Sequence, residues 1–165
     1  METVSFARNE YNDKAIELYW QENEKMKERL PHADIQHVGS SAIPGTLTKG
    51  DVDIQVRVQK EEFEEAVCVL NALYQLNEGS VQTSSFRSFY TNDTILPLGV
   101  QLTVCHSEFD VFHKFRDVLL INEGYREQYD QLKASFDGKD MESYRKAKQH
   151  FFEQLKKTPE YKNLG

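Results

Sequence analysis

Apolar positions along the chain change their period several times, and each change marks an element. Ile16, Tyr19/Trp20, Asn23, Met26 and Leu30 follow a helical spacing that Pro31 stops. Ile35 to Val38 is a short β-type run broken by Gly39-Ser40-Ser41. Val52, Ile54, Val56 and Val58 alternate with Asp51, Asp53, Gln55 and Arg57, which predicts a strand with one apolar and one polar face. Lys60 to Leu73 predicts a helix with Phe63, Val67, Leu70 and Leu73 on one side. Residues 81–91 and 95–105 predict two strands around a turn at Asn92-Asp93. The remainder reads as helices over roughly 108–122, 124–136 and 140–157, the last with Met141, Tyr144, Lys148, Phe151/Phe152 and Leu155 in helical register. This order predicts a mixed α/β domain with a helical C-terminal segment. Its sheet has about four strands, is not purely parallel, and carries helices packed on it.

Composition narrows the class without changing that picture. The 165 residues are 39% hydrophobic and 28% charged, a soluble globular composition. No repeat or Pro/Gly/Ser linker divides the chain, so residues 1–165 are expected to form a single domain, large enough to fold without disulfides or a structural metal. The longest apolar runs are too short to span a bilayer, and Met1-Glu2-Thr3-Val4-Ser5 lacks the features of a signal peptide. A cytoplasmic location is therefore expected, with no membrane partner. Cys68 and Cys105 sit in apolar runs and are expected to be buried thiols.

Charge is unevenly placed. The net value of -7 argues against a nucleic-acid partner held through bulk charge. Residues 1–132 carry 12 bases against 22 acids, and residues 133–165 carry 8 against 5, so the body is -10 and the C-terminal segment +3. That segment is either a solvated lysine-rich face or a source of cations for an anionic ligand.

One stretch carries chemistry: His37-Val38-Gly39-Ser40-Ser41-Ala42-Ile43-Pro44-Gly45, followed by Lys49-Gly50-Asp51-Val52-Asp53-Ile54-Gln55-Val56. Glycine lets the backbone approach a ligand, and N–H groups at a helix start attract phosphate. Asp51 and Asp53, at i and i+2, project from the same face of a strand. Two carboxylates on one edge suit Mg²⁺, which prefers carboxylate plus substrate phosphate to an all-protein cage. A phosphate cradle at Gly39, Ser40 and Ser41 facing a Mg²⁺ pair at Asp51 and Asp53 is what nucleotidyl transfer requires.

That stretch resembles the GrpB family, as do Phe115-Arg116-Asp117, Tyr129 to Lys133 and Tyr144-Arg145-x-Ala147-Lys148-x-x-Phe151, over residues from about 10 to 156. The resemblance implies a nucleotidyltransferase-like fold whose shared pattern is Gly-Ser, a spacer, then Asp-x-Asp/Glu. Three departures bear on activity. Gly50 and Asp51 stand where family members usually have Pro and an apolar residue, so Asp53 is the inherited acid and Asp51 an extra one. Counted from Asp53, the partner two residues on is Gln55, a poor Mg²⁺ ligand. The later strand that bears a third carboxylate in active nucleotidyltransferases offers Gln101 and Thr103 here. The nearest acids downstream, Glu108 and Asp110, are expected to cap the following helix.

Other residues carry two readings each. His37 either hydrogen-bonds the loop or acts in catalysis, and His106 and His113 lack a metal-ligand spacing. Arg87 either points into the cleft or lies on an exposed sheet face. Arg116 pairs with Asp117 or with an acid across the core. Lys148 falls on the apolar side of its helix, where a lysine snorkels or serves an anion. The function expected is transfer of a nucleotidyl group from a nucleoside triphosphate to a small-molecule acceptor. Asp51 and Asp53 are its catalytic and Mg²⁺-binding residues, and Gly39, Ser40, Ser41, Lys49, Arg87 and Lys148 hold the nucleotide. A catalytically silent nucleotide-binding or protein-interaction module on the same fold is the alternative.

Overall fold

The alternating run around Ile54 lies inside a five-stranded sheet, one strand more than the sequence suggests. The structure is a computed structural model and describes residues 2–8 and 12–165; Met1 and the start of the family-like stretch near residue 10 lie outside them. In chain order the elements are β1 (Ala7–Arg8), α1 (Asn12–Arg29), β2 (Asp34–Val38), β3 (Leu47–Thr48), β4 (Val52–Val58), α2 (Phe63–Leu73) and β5 (Gln75–Leu76). Then follow β6 (Phe86–Thr91), β7 (Leu98–Val104), α3 (Phe112–Ile121), α4 (Glu123–Phe136), α5 (Met141–Leu155) and α6 (Pro159–Asn163). The sheet runs β2-β4-β7-β6-β5, with β4 and β7 parallel and every other pair antiparallel. β1 and β3 form a separate small antiparallel pair. The mixed α/β class and the helical C-terminal segment are as the hydrophobic pattern predicts.

Both faces of the sheet are covered, although the alternation in β4 suggests one wet side. One face buries Val52, Ile54, Val56, Val58, Val100 and Leu102 against α1 and α2 in the main core. Each such side chain contributes about 1.5–3 kcal/mol on burial. The other face bears Val38, Asp53, Gln55, Arg57, Gly99, Gln101 and Thr103, because cross-strand partners share a face. It lies under the C-terminal helices, so Gln55 and Thr103 are fully buried as well. Gln55 Nε2 donates to Thr103 Oγ1 at 2.9 Å and to Asp110 Oδ1 at 3.0 Å, and its Oε1 accepts from the His113 N–H at 2.9 Å.

Asp110 departs from the capping role expected of it. Its carboxylate takes the Arg57 guanidinium in two bonds of 2.7 Å and accepts the His106 N–H at 2.7 Å. Satisfying it keeps residues 105–111 in turns, with His106 at φ +66°, and delays α3 to Phe112. On α1 the buried stripe is Ala15, Leu18, Tyr19, Glu22, Met26 and Leu30, while Ile16 and Trp20 are 41% and 61% exposed. A stripe rotated by one residue is equally regular at roughly 3.6 residues per turn. Glu22 joins it because Tyr74 Oη donates to its carboxylate at 2.7 Å. The cysteines are less buried than expected: Cys68 is exposed on the outer side of α2 and Cys105 is half-buried, both free thiols. Edge strand β2 has outward carbonyls capped by side chains, Ile35 O by Tyr19 Oη at 2.8 Å and His37 O by Arg116 Nη1 at 3.0 Å. Capping of this kind removes a template for edge pairing. Among the described residues, no helix is long and apolar enough to cross a membrane.

Candidate functional site

The site is built where β2 ends. Gly39 adopts φ +76° and ψ -175°, a backbone region essentially reserved for glycine, and turns the chain into a 3₁₀ turn over Ser40–Ala42. A Cβ on Gly39 would stand 2.6 Å from Asp53 Oδ2, and one on Gly99 of β7 would stand 2.9 Å from Asp53 Oδ1. The Asp53 carboxylate is therefore clasped between two glycines. Gly39, expected to make room for a ligand, is first of all room for Asp53.

Among the described residues, no hydrogen bond or ion pair engages that carboxylate. Burial, and after it the neighbouring charge of Asp51, push Asp53 up to about 7, while Lys148 and Lys49 act in the opposite sense. Asp51 lies 3.6 Å from Lys49 Nζ, with both side chains partly exposed. Asp51 and Asp53 open on a cavity of about 200 Å³, which Gly39, Ser40, Lys49 and Lys148 also line. The far wall is aromatic and comes from the C-terminal helices: Phe112, Phe115, Tyr129, Tyr144 and Phe152. Of the residues singled out by sequence, these six converge.

Two do not. Arg87 alternates onto the opposite face of the sheet, where its guanidinium stacks over the Phe63 ring at 5.4 Å and donates to Thr83 O at 3.0 Å. In β6 it is Phe86 and Ser88 that share a face with Thr103 and Gln101, so the register carries Arg87 away from the cavity. Ser41 is buried beneath the turn, its Oγ 2.9 Å from His37 Nε2, and does not line the cavity. His37 stacks on Tyr19 with ring centroids 5.1 Å apart, and burial, with Arg116 nearby, pushes it down to about 4. A neutral imidazole supporting the loop is a structural part. Arg116 does line the cavity, but it is held by Asp117 at 2.9 Å and by His37 O.

Sequence reasoning missed two contributors. Gly99 was hidden as one residue in an apolar strand; a glycine inside a strand is the available sign of close approach. Lys133 is the larger omission. It is 1% exposed on α4, and its Nζ donates to Ser40 Oγ at 2.8 Å and to Leu47 O at 2.6 Å. Burial pushes Lys133 down to about 7, with Asp130 opposing. Its position four residues after Tyr129, on the apolar side of the helix, is the same signal that drew attention to Lys148.

Asp51 and Asp53 are hard oxygen donors of the kind Mg²⁺ takes. An unpartnered carboxylate beside a second one fits a divalent cation that completes its shell with water and phosphate. Gln101 faces the same cavity as a neutral amide, and no group of three or more His, Cys, Asp or Glu side chains is disposed to hold a metal among the described residues. The donor set is thus a minimal one.

The profile of the GrpB protein family matches residues 8–158. A UPF0157 protein of Vibrio cholerae serotype O1 is 32% identical over 150 residues, covering 91% of this chain and 80% of that one. The crystal structure of the conserved protein GrpB from Enterococcus faecalis superposes with a TM-score of 0.74 at 18% identity, over 96% of this chain and 98% of that one. The Cid1 poly(U) polymerase shows a weaker likeness, TM-score 0.46 at 12% identity over 75% of this chain and 41% of that one. Family profile, sequence relative and full-length superposition agree: this chain belongs to the GrpB family.

Proposed function

We propose that the cavity binds a Mg²⁺–nucleoside triphosphate and that the protein is a nucleotidyltransferase acting on a small-molecule acceptor. The observation that carries this reading is the Asp53 carboxylate, without a hydrogen-bond or ion-pair partner among the described residues, beside Asp51 and facing Ser40, Lys49 and Lys148 across one cavity. Asp51 and Asp53 hold the metal, which when bound neutralises charge on the phosphates. The Ser40 hydroxyl and the Lys49 and Lys148 ammonium groups receive phosphate oxygens. At about 200 Å³ the cavity is smaller than the roughly 300–1,000 Å³ of pockets that enclose a whole ligand, so it takes the phosphates and leaves the nucleoside nearer the mouth. The acidic body disfavours nucleic acid as the acceptor.

A second reading has its own observation. Gln101 cannot take a proton from an acceptor hydroxyl, and among the described residues no third carboxylate faces the cavity. A silent nucleotide-binding module would keep the binding and lack the turnover. Thermal shift with a panel of nucleotides separates these possibilities from the outset. Stabilisation by a nucleoside triphosphate is expected to be larger with Mg²⁺ than without it, and that Mg²⁺-dependent increment is expected to vanish in Asp53→Asn; ligand at 100 times its Kd gives about 2.7 kcal/mol. No shift with any nucleotide and Mg²⁺ would sink the reading. Pyrophosphate release then separates the transferase from the silent module.

A further inference from the structure

Lys133 does not line the cavity, yet it is the most deeply buried charged side chain beside it. Its Nζ stands 3.7 Å over the Tyr129 ring and 3.8 Å from Asp130 Oδ1. That carboxylate is shared: it accepts the Leu47 N–H at 3.0 Å and the Thr46 hydroxyl, and lies 3.5 Å from Arg8. The other charged groups nearest Lys133 are Lys148 on α5, which opposes its charge, and Asp51, which favours it. Tyr144 of α5 reaches the Tyr129 hydroxyl at 3.4 Å and carries no charge. Among the described residues this buried ammonium has one counter-ion, shared and 3.8 Å away, and so is incompletely compensated.

The hydrogen bond to Ser40 has a direction. An ammonium group only donates, so Ser40 Oγ accepts from Lys133 and its single proton is left for the Tyr129 hydroxyl or for a ligand in the cavity. We propose that Lys133 is a buried positioning residue for an anionic ligand, holding the Ser40 hydroxyl as a donor and gaining from a seated phosphate group the counter-charge it lacks. This inference rests on the reading of the cavity as a phosphate site. It adds a residue outside the cavity and a proton to that reading. With Lys133 near 7, the amine form is well populated at neutral pH, and an amine accepts from Ser40 and draws its proton away from the cavity. Phosphate binding therefore favours the ammonium and takes up a proton, and affinity falls as the pH rises through that value.

The test is isothermal titration of the full chain with inorganic triphosphate and no metal, from about pH 6 to about pH 9, in buffers of differing ionisation enthalpy. An Asp53→Asn background removes the other cavity group brought to about 7, and the ligand's own ionisation is common to every variant. Lys133→Met is expected to weaken binding by roughly ten- to a hundredfold, the worth of a charge-assisted hydrogen bond. Lys133→Arg is expected to restore most of that affinity, since its charge persists, while abolishing the extra proton uptake near pH 8. Ser40→Ala, a small change at the cavity wall, is expected to lose about tenfold even if the lysine variants fold poorly. A merely structural lysine would leave proton uptake the same in the unmodified chain and in Lys133→Arg, and that result overturns the inference. So does absence of triphosphate binding, or unchanged affinity in Ser40→Ala. Nucleotide binding with Mg²⁺ that survives these results would leave the proposed function standing and remove only the role of Lys133.

Discussion

Two ends of one strand face show opposite fates for polar side chains. Asp53, Gln55 and Arg57 alternate along β4 and point to the same side. At one end, Arg57 is held by Asp110 and by Asp34 at 2.7 Å, and Gln55 is held by Thr103, Asp110 and His113. That cluster is closed: its donors and acceptors answer one another under α3, and it fixes the helix to the sheet. At the other end, Asp53 is walled in by glycines, pushed toward the protonated form, and opens on a cavity. A buried polar group with partners explains itself by packing. One that no described residue partners, in a chain that satisfies its neighbours two residues away, is the feature on which the proposed site rests.

The sharpest way to break the comparison is to fill the space that keeps Asp53 apart. Gly39→Val combines a glycine-only backbone region with a Cβ 2.6 Å from Asp53 Oδ2. We expect a loss of roughly 4 kcal/mol by chemical denaturation, together with loss of nucleotide binding. This is more than the local effect suggested by reading Gly39 as a ligand-approach residue alone. Stability within about 1 kcal/mol of the unmodified protein would show that the loop relaxes freely.

Next in size is the closed end. Burial alone would push Asp110 up, but the Arg57 guanidinium, with the His106 N–H, reverses this and holds it below its ordinary value of 3.8. A lowered pKa contributes stability above the unfolded value and loses it as the pH falls through the folded one. Asp110→Asn is therefore expected to cost roughly 3 kcal/mol at pH 7 in urea melts, a difference that narrows below about pH 4.

The open end carries the opposite sign. Asp53 is raised in the folded state, so its ionisation opposes folding: the effect is absent below about 4, grows with pH, and is complete above about 7. Without metal, Asp53→Asn should stabilise the protein by on the order of 1–2 kcal/mol at pH 8 and leave it unchanged near pH 4, read as Tm against pH. A destabilised variant at pH 8 would mean that Asp53 has a partner after all. Smaller effects sharpen the boundary of the site. Lys148→Met is expected to weaken triphosphate binding about tenfold, and Lys156→Met, which pairs with Glu153 at the far end of α5, hardly at all. Arg87→Met should leave affinity within about twofold, since it lies across the sheet.

Much was legible in the chain before folding. Periodicity located β4, β7 and the long helices, because a side chain's face follows from residue spacing alone. The Gly-Ser turn and the Asp51/Asp53 pair were legible for the same reason, being local in sequence. Errors fell where a long-range partner chose between regular alternatives. The burial of Glu22 was decided by Tyr74, and the turns before α3 by the claim of Arg57 on Asp110. The facing of Arg87 followed from the pairing register of β6 with β7. The site itself divides in the same way. Spacing by itself placed two carboxylates together and a glycine loop before them. Only the tertiary structure brought Gly99 against Asp53 and Lys133 beneath Ser40, residues 46 and 93 positions apart in the chain. Neither contact leaves a periodic trace, because each depends on which sheet face and which helix side meet, and that is settled by burial of the whole core.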